Sequence, residues 1–418
     1  MEIIKNTFFD MLKYLKVFIK WILLATLVGL VGGVIGYAFH ESIDIATHFR
    51  EENRWIIYFL PVGGLIIAGI YRIFKSLGSF STNRVIEAVQ SEEKVPLVMS
   101  PLIFVSTVLT HLLGGSAGRE GAALQLGGSL GYNIGKWVRL SKSDLHIIVM
   151  AGMSAVFSAL FGTPLTAAIF AVEVCMVGAV HYSALFPSVM SAVVAFKMST
   201  SFGAVPISYD IFQSVSITPE LLIKVIALAV LCALVCILFC ESIKRCEHLV
   251  EKYIKNSFVR IFAGGAVILI LTLIIGNQDY NGAGMHVITD AMNGNAKPYA
   301  FILKIVFTAI TISVGFRGGE IVPAFFVGST FGCVLAQILG LDAGFGASIG
   351  FVALFCGAVN CPIASIMLAL EVFGTNNILI YALVCCVSFM MSGNFGLYKS
   401  QKLLYSKLYD EYKEVNAK

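Results

Sequence analysis

Apolar residues dominate runs near 17–39, 56–75, 100–113, 122–138, 145–160, 164–180, 185–202, 219–241, 258–276, 299–314, 322–340, 345–358, 362–373 and 377–393. Polar positions collect in the gaps, and glycine and proline punctuate the runs. The pattern predicts helices almost throughout. Crossing ~30 Å of hydrocarbon takes about 20 helical residues, and many of these runs are shorter. A short apolar helix that ends inside a bilayer leaves backbone groups that lipid cannot satisfy. It must be buried in protein or line a polar cavity. The expected fold is an all-α integral membrane protein with many short, tilted and broken helices.

The pattern also occurs twice. Residues 152–174 read GMSAVFSALFGTPLTAAIFAVEV and residues 350–372 read GFVALFCGAVNCPIASIMLALEV. A shift of 198 positions sets Gly152 on Gly350, Phe157 on Phe355, Pro164 on Pro362 and Glu173 on Glu371. Upstream of each copy lies a glycine-flanked acid: Gly118-Arg119-Glu120-Gly121 in the first half and Gly318-Gly319-Glu320 in the second. A duplicated membrane unit with interrupted helices points to a transporter whose site lies between the repeats.

Composition sharpens this reading. Of 418 residues, 58% are hydrophobic and only 13% charged, against about 25% charged in soluble domains. A single hydrophobic soluble core is excluded by the number and length of the runs. The net charge of +4 is no nucleic-acid footprint, because the lysines and arginines gather at the ends and in linkers. Lys5, Lys13, Lys16 and Lys20 precede the first run, and Lys399, Lys402, Lys407, Lys413 and Lys418 follow the last. The positive-inside rule places both termini in the cytoplasm, in a multi-pass protein of the plasma (inner) membrane. The stretch 241–260 carries Lys244, Arg245, Lys252, Lys255 and Arg260 and divides the halves. The expected organisation is a first membrane repeat over 1–240, a cytoplasmic linker over 241–257, a second repeat over 258–398 and a short cytoplasmic tail over 399–418. The N-terminal segment does not read as a signal peptide, for no small-residue cleavage site follows its apolar part. The ten cysteines make no zinc or redox pattern and read as apolar packers.

Glu120 carries the sharpest chemistry. It lies in GGSAGREGAALQLGG, just ahead of a predicted helix, among glycines that expose backbone N–H groups. Helix N-termini attract anions through unpaired donors and the helix dipole. A carboxylate there acts as a tethered anion, filling the seat when ionised and leaving it when protonated. Burial opposes its charge and N–H donors favour it, so its protonation state can balance near working pH. The plain alternative is a structural ion pair with Arg119, but acids inside membranes are functional by default. Glu320, in SVGFRGGEIVPAFFVGSTFG, repeats the layout, with Pro323 suited to a first helical turn; its plain alternative is a pair with Arg317. Glu173 and Glu371 end their repeats at equivalent places, where packing or capping is the simpler role. Tyr398 offers a phenol able to donate to an anion, although an interfacial aromatic is the common reading. His111, His146, His181 and His286 have no metal-ligand spacing. The glycines around Glu120 lack the Lys-Ser/Thr ending of a phosphate loop. No nucleophile-and-base set argues for an enzyme, and no cofactor is expected.

These residues resemble a known family. GGSAGREGAALQLGG resembles the "GREGP" motif of the CLC chloride channels and anion/proton antiporters, with Ala122 in place of the proline. GGEIVPAFF resembles that family's "GGxFxP" helix start, and FGTPLTAAIFAVEV the segment that follows the gating glutamate. The resemblance covers roughly 20–400. It implies a homodimer of inverted-repeat subunits, each with its own anion pathway, and Glu120 as the gate. Its implied anion ligands are Gly118, Arg119, Gly121, Ile321 and Val322 at the helix starts, with Ser81, Thr82 and Tyr398. The family's "GSGIP" motif would fall on Gly78–Arg84, which read GSFSTNR. Ser81 best matches its serine by spacing, with Thr82 and Asn83 as rivals; Tyr405 is the rival of Tyr398. The internal proton-handling glutamate of chloride exchangers would fall on Val174. Glu320 stands where chloride transporters carry an apolar residue, which resembles the fluoride/proton antiporter branch. Well-known fluoride members carry Met at the serine position, and this chain does not. The implied partners are fluoride or chloride, protons and the lipid bilayer. Proton-coupled antiport, with fluoride export favoured over chloride, is the expectation. A passive chloride channel on the same fold is the alternative, and an unrelated inverted-repeat cation or solute transporter the remote one.

Both readings agree on one physical point. A small anion must be held through partial charges, because a full cation would bind it too tightly for turnover.

Overall fold

The computed structural model describes residues 2–74, 81–91, 93–210, 215–409 and 411–418, with side chains from Asp10 onward. Sixteen α-helices account for most of these residues. Seven segments among the described residues are long and apolar enough to span a bilayer, beginning with Asp10–Glu52 and ending with Ile321–Leu339. The longest helices, α1 (Glu2–Glu52) and α9 (Pro219–Tyr253), show large apolar side chains to the outside, among them Leu23, Leu27, Leu231 and Leu234. Such a belt is stable only against lipid. This is a multi-pass membrane protein.

The duplication is visible in the helix starts. The first unit is α4 (Met99–Leu113), α5 (Glu120–Trp137), α6 (Lys142–Phe161) and α7 (Pro164–Glu173). The second is α12 (Ala300–Val314), α13 (Ile321–Leu339), α14 (Ala343–Val359) and α15 (Pro362–Phe373). The first three pairs of starts lie 201 positions apart, and Pro164 and Pro362 lie 198 apart. The difference is taken up early in α14, which has 17 residues where α6 has 20. In both units the second and third helices touch backbone to backbone. A Cβ on Gly127 would strike the Gly152 carbonyl, and one on Gly328 the Gly350 carbonyl. Only glycine permits that approach, which sinks α5 and α13 into the middle of the protein.

Two acids tie the units to each other. Glu173, at the end of α7, accepts from Ile363 N at 3.2 Å and Ala364 N at 2.9 Å, at the start of α15. Glu371, near the end of α15, accepts from Leu165 N at 2.8 Å, Thr166 N at 2.8 Å and Thr166 Oγ1 at 2.6 Å, at the start of α7. Each carboxyl caps the other unit's helix where the dipole is positive. The exchange is reciprocal, as a two-fold relation requires.

The structure differs from the sequence reading in four places. The helix of the run 219–241 continues as α9 to Tyr253, through most of the stretch 241–257, before Asn256 caps α10 (Ser257–Ile275). The run 164–180 ends as helix at Glu173. Two short helices of mixed polarity, α3 (Thr82–Gln90) and α11 (Met285–Met292), escape a hydropathy reading. The tail forms a small sheet of β1 (Met176–Val177), β2 (Lys402–Tyr405) and β3 (Tyr412–Asn416). There β1 runs parallel to β2, and β3 antiparallel to it, pinning the C-terminus beneath α7.

Candidate functional site

The helices α4 and α12 end on left-handed glycines, Gly114 (φ 89°) and Gly315 (φ 109°), a conformation costly for any residue with a Cβ. Each chain then turns back, and the two loops cross as an antiparallel bridge. Gly118 N donates to Gly319 O at 2.6 Å and Gly319 N to Gly118 O at 2.7 Å. Threonine hydroxyls repeat the exchange. Ser116 N donates to Thr311 Oγ1 at 3.0 Å, and Arg317 N to Thr110 Oγ1 at 3.3 Å. Glycine is required at the crossing, because a Cβ on Gly319 would come within 2.5 Å of Gly121 N. From this crossing α5 and α13 leave in opposite senses, their N-termini facing one another.

The crossing corrects one expectation. The 201-residue offset of the helix starts, which also sets Gly118 on Gly319, matches Glu120 to Ile321 and Arg119 to Glu320. The two acids are not equivalent. Glu120 is the first residue of α5, whereas Glu320 precedes α13 as its cap residue.

Glu120 is fully buried. Its Oε2 accepts from Arg119 N at 3.0 Å and, across the crossing, from Val322 N at 3.3 Å. Pro323 supplies no N–H, so α13 offers only Ile321 and Val322 as early donors. The carboxyl of the first unit thus sits on the N-terminus of the second unit's α13. Its Oε1 has no hydrogen-bond partner among the described residues. The Arg119 guanidinium does not clasp it. Arg119 Nη1 meets Asp44 Oδ1 at 3.0 Å, and its Nε lies 3.9 Å from Glu120 Oε1.

On the other side of the crossing a cavity of about 160 Å³ is lined by Ser81, Thr82, Gln125, Glu320 and Tyr398, among others. Lys244, Glu247 and Lys399 also line it. Thr82 and the Glu320 carboxyl both flank Gly121, each 3.5 Å from where its Cβ would stand. Of the three candidates at the start of α3, Thr82 turns its hydroxyl inward. Thr82 Oγ1 donates to Gly121 O at 3.2 Å and accepts from Gln125 Nε2 at 3.2 Å. Ser81 and Asn83 line the same cavity, and Asn83 Oδ1 also accepts from Ser400 N at 3.1 Å. The motif's beginning, 78–80, lies outside the described residues. Tyr398 is buried, with a hydroxyl unpartnered among the described residues. Tyr405 stands on β2, half exposed and edge-on to Tyr412, away from the site. Arg317 lies with its guanidinium 4.0 Å over the Tyr71 ring. Val174 is buried, and its carbonyl accepts from Gln401 Nε2 at 2.9 Å.

Gln125 and Asp44 were not anticipated. Gln125 sits within the quoted motif, one turn after Gly121, and its placement on that face of α5 was the available signal. Asp44 lies 75 residues from Arg119, and nothing local announces the pairing.

Opposed helix N-termini around a seat filled by the protein's own carboxylate define a membrane protein of the inverted-repeat, anion-binding class. Residues 63–393 match the voltage gated chloride channel family, and the chain belongs to it. The chain is 36% identical over 405 residues to a chloride/fluoride channel protein of Pseudomonas syringae pv. tomato, covering 95% of this chain and 89% of that one. It is 26% identical over 398 residues to the H(+)/Cl(-) exchange transporter ClcA of Vibrio vulnificus, covering 86% and 83%. Its fold is similar to the crystal structure of a CLC-type fluoride/proton antiporter, with a TM-score of 0.89 at 32% identity over 92% of this chain and 98% of that one. A slow cyanobacterial Cl-/H+ antiporter, at a TM-score of 0.77 and 20% identity over 89% and 94% of the two chains, shares the fold.

Proposed function

We propose that this chain is a proton-coupled anion antiporter that exports fluoride, rather than an enzyme or a passive pore. It works as a homodimer in the plasma membrane with both termini in the cytoplasm. The observation that carries the reading is the Glu120 carboxyl on the Val322 N–H, where an incoming anion would bind. Protonation weakens that hold, frees the carboxyl to move and lets the anion in, so each proton is traded against an anion. Glu320 supports proton movement on the cavity side, since it offers a second carboxyl beside Gly121 while Val174 offers none. The hydroxyls of Thr82, Ser81 and Tyr398 and the N–H groups at the starts of α5 and α13 would hold the ion without a full countercharge. The cavity of Lys244 and Lys399 would face the cytoplasm and draw anions in. Similarity to a fluoride/proton antiporter along nearly the whole chain favours fluoride over chloride.

The test is efflux from liposomes loaded with fluoride or chloride at two pH values, with proton uptake recorded. Fluoride efflux with uphill proton movement is the expected result, and Glu120→Gln abolishes the proton movement. Reversal potentials that ignore a pH gradient would make the protein a channel. Coupling that survives Glu120→Gln would remove Glu120 as the gate.

A further inference from the structure

Arg119 poses a problem that the proposed cycle leaves open. A guanidinium one residue from the plug should hold an ionised carboxyl in place and oppose its protonation. The structure shows it held elsewhere. Its Nη1 lies 3.0 Å from Asp44 Oδ1, while its Nε stands off at 3.9 Å from Glu120 Oε1, an oxygen that takes no hydrogen bond among the described residues. Asp44 is in turn braced by its own helix, with His40 Nε2 3.1 Å from Oδ2, four residues earlier. The three groups form a graded path, for Asp44 is 44% exposed, Arg119 7% and Glu120 0%. Asp44 also lies far along α1 from Lys20, 24 residues or about 36 Å of helix. That is the end of the helix opposite the basic terminus.

We propose that Asp44 is a positioning residue that draws Arg119 away from Glu120, so that the plug can be protonated and released. It acts through Arg119 and does not touch the anion. The inference rests on Glu120 being the plug. Without Asp44, the guanidinium has a buried oxygen within one small side-chain movement, and a charge-assisted bond to it would lock the plug shut. The other titratable or charged groups that face this point are His40 on α1, His111 on α4, Tyr209 after α8 (Tyr182–Ser201), Glu320 before α13 and Tyr398 after the last span, with Arg50 and Lys304 reaching it through His111. Asp44 is the carboxylate that meets Arg119 at hydrogen-bond distance.

The experiment is anion efflux from proteoliposomes as a function of pH on the Asp44 side. Asp44→Asn should move the half-maximal pH about one unit to the acid side, a tenfold rise in the proton concentration needed. Asp44→Glu should restore the wild-type profile. Arg119→Gln should move the profile to the alkaline side, and Asp44→Asn added to it should shift nothing further. Where Asp44→Asn fails to fold, Asp44→Ser is read in the same way, with the same acid shift expected. A profile for Asp44→Asn that overlays wild type, or the same acid shift in the Arg119→Gln background, would overturn the role of Asp44. Glu120→Gln, run alongside, separates this from the plug itself: proton movement surviving in that variant overturns both.

Discussion

If Glu120 and the transported anion share one seat, removing the carboxyl should tighten anion binding. The plug is held on the second unit by the Val322 N–H at 3.3 Å, longer than the 2.7–2.9 Å usual for a charge-assisted bond. Such a bond contributes about 1.5 kcal/mol at the weak end of its range, and the N-terminal dipole of α13 adds roughly 0.5 kcal/mol. An anion must displace about 2 kcal/mol of internal competition, so its apparent affinity is lowered about 30-fold by the closed fraction. Glu120→Ala removes the competitor and should tighten binding by that factor. The assay is titration calorimetry of purified wild type and variant with fluoride at neutral pH, and a parallel titration with chloride. Raising the pH should weaken binding to wild type, because the ionised plug competes harder, and leave Glu120→Ala unchanged. Equal affinities in the two proteins would mean that carboxyl and anion do not occupy the same place.

Three further expectations concern the frame around the seat. Glu371→Ala strips three donors of their acceptor and Glu173→Ala two; each should cost about 2–4 kcal/mol, read as a lower thermal unfolding midpoint in detergent. Gly152→Val drives a side chain into the Gly127 carbonyl and should cost about 3 kcal/mol or prevent folding, read by size-exclusion chromatography and unfolding. Burial pushes the Lys407 ammonium of the tail from the usual 10.5 down to about 8, while its Nζ donates to Asn360 Oδ1 at 2.5 Å and Ser392 Oγ at 3.0 Å. The folded state therefore carries a charge penalty that is full below pH 8 and is relieved as pH rises toward the unfolded value. Stability should climb by about 2 kcal/mol between pH 7 and pH 9.5 from this group, and Lys407→Met should be more stable at pH 7 and lack that climb.

What could be read from the chain alone follows the range of the interactions involved. The duplicated pattern announced α6, α7, α14 and α15, since helix packing against glycine leaves the same residues at the same spacing in each copy. Glu173 and Glu371 were visible as a pair for that reason, but their reciprocal capping is a contact between halves that neither copy encodes by itself. The helices α3 and α11 were missed because runs of nine and eight residues of mixed polarity are too short to give a hydropathy signal, although α3 delivers Thr82. The different directions of the Ser81 and Thr82 side chains follow from where that helix begins. Successive residues on a helix point about 100° apart, and no spacing argument resolves that angle. Asp44 lay out of reach because its meaning depends on a partner 75 positions away.

The single-residue offset between the two acids explains how one seat acquires two different carboxyls. A perfect duplication would place both at the first turn of their helices, each plugging the other unit, and a two-fold site with two plugs would have no direction. Here the first unit sets Glu120 inside α5, so its side chain folds back over the crossing onto Val322 N. The second unit sets Glu320 one position earlier in register, before α13 begins. From there its carboxyl reaches Gly121 from the side of the cavity and leaves the Val322 donor to Glu120. One carboxyl sits on the α13 N-terminus and the other beside Gly121 at the cavity, which is the asymmetry the proposed exchange would need. A transporter that couples two ions needs its two sides to differ at the moment of exchange, and a shift of one residue between halves built alike is enough to make them differ.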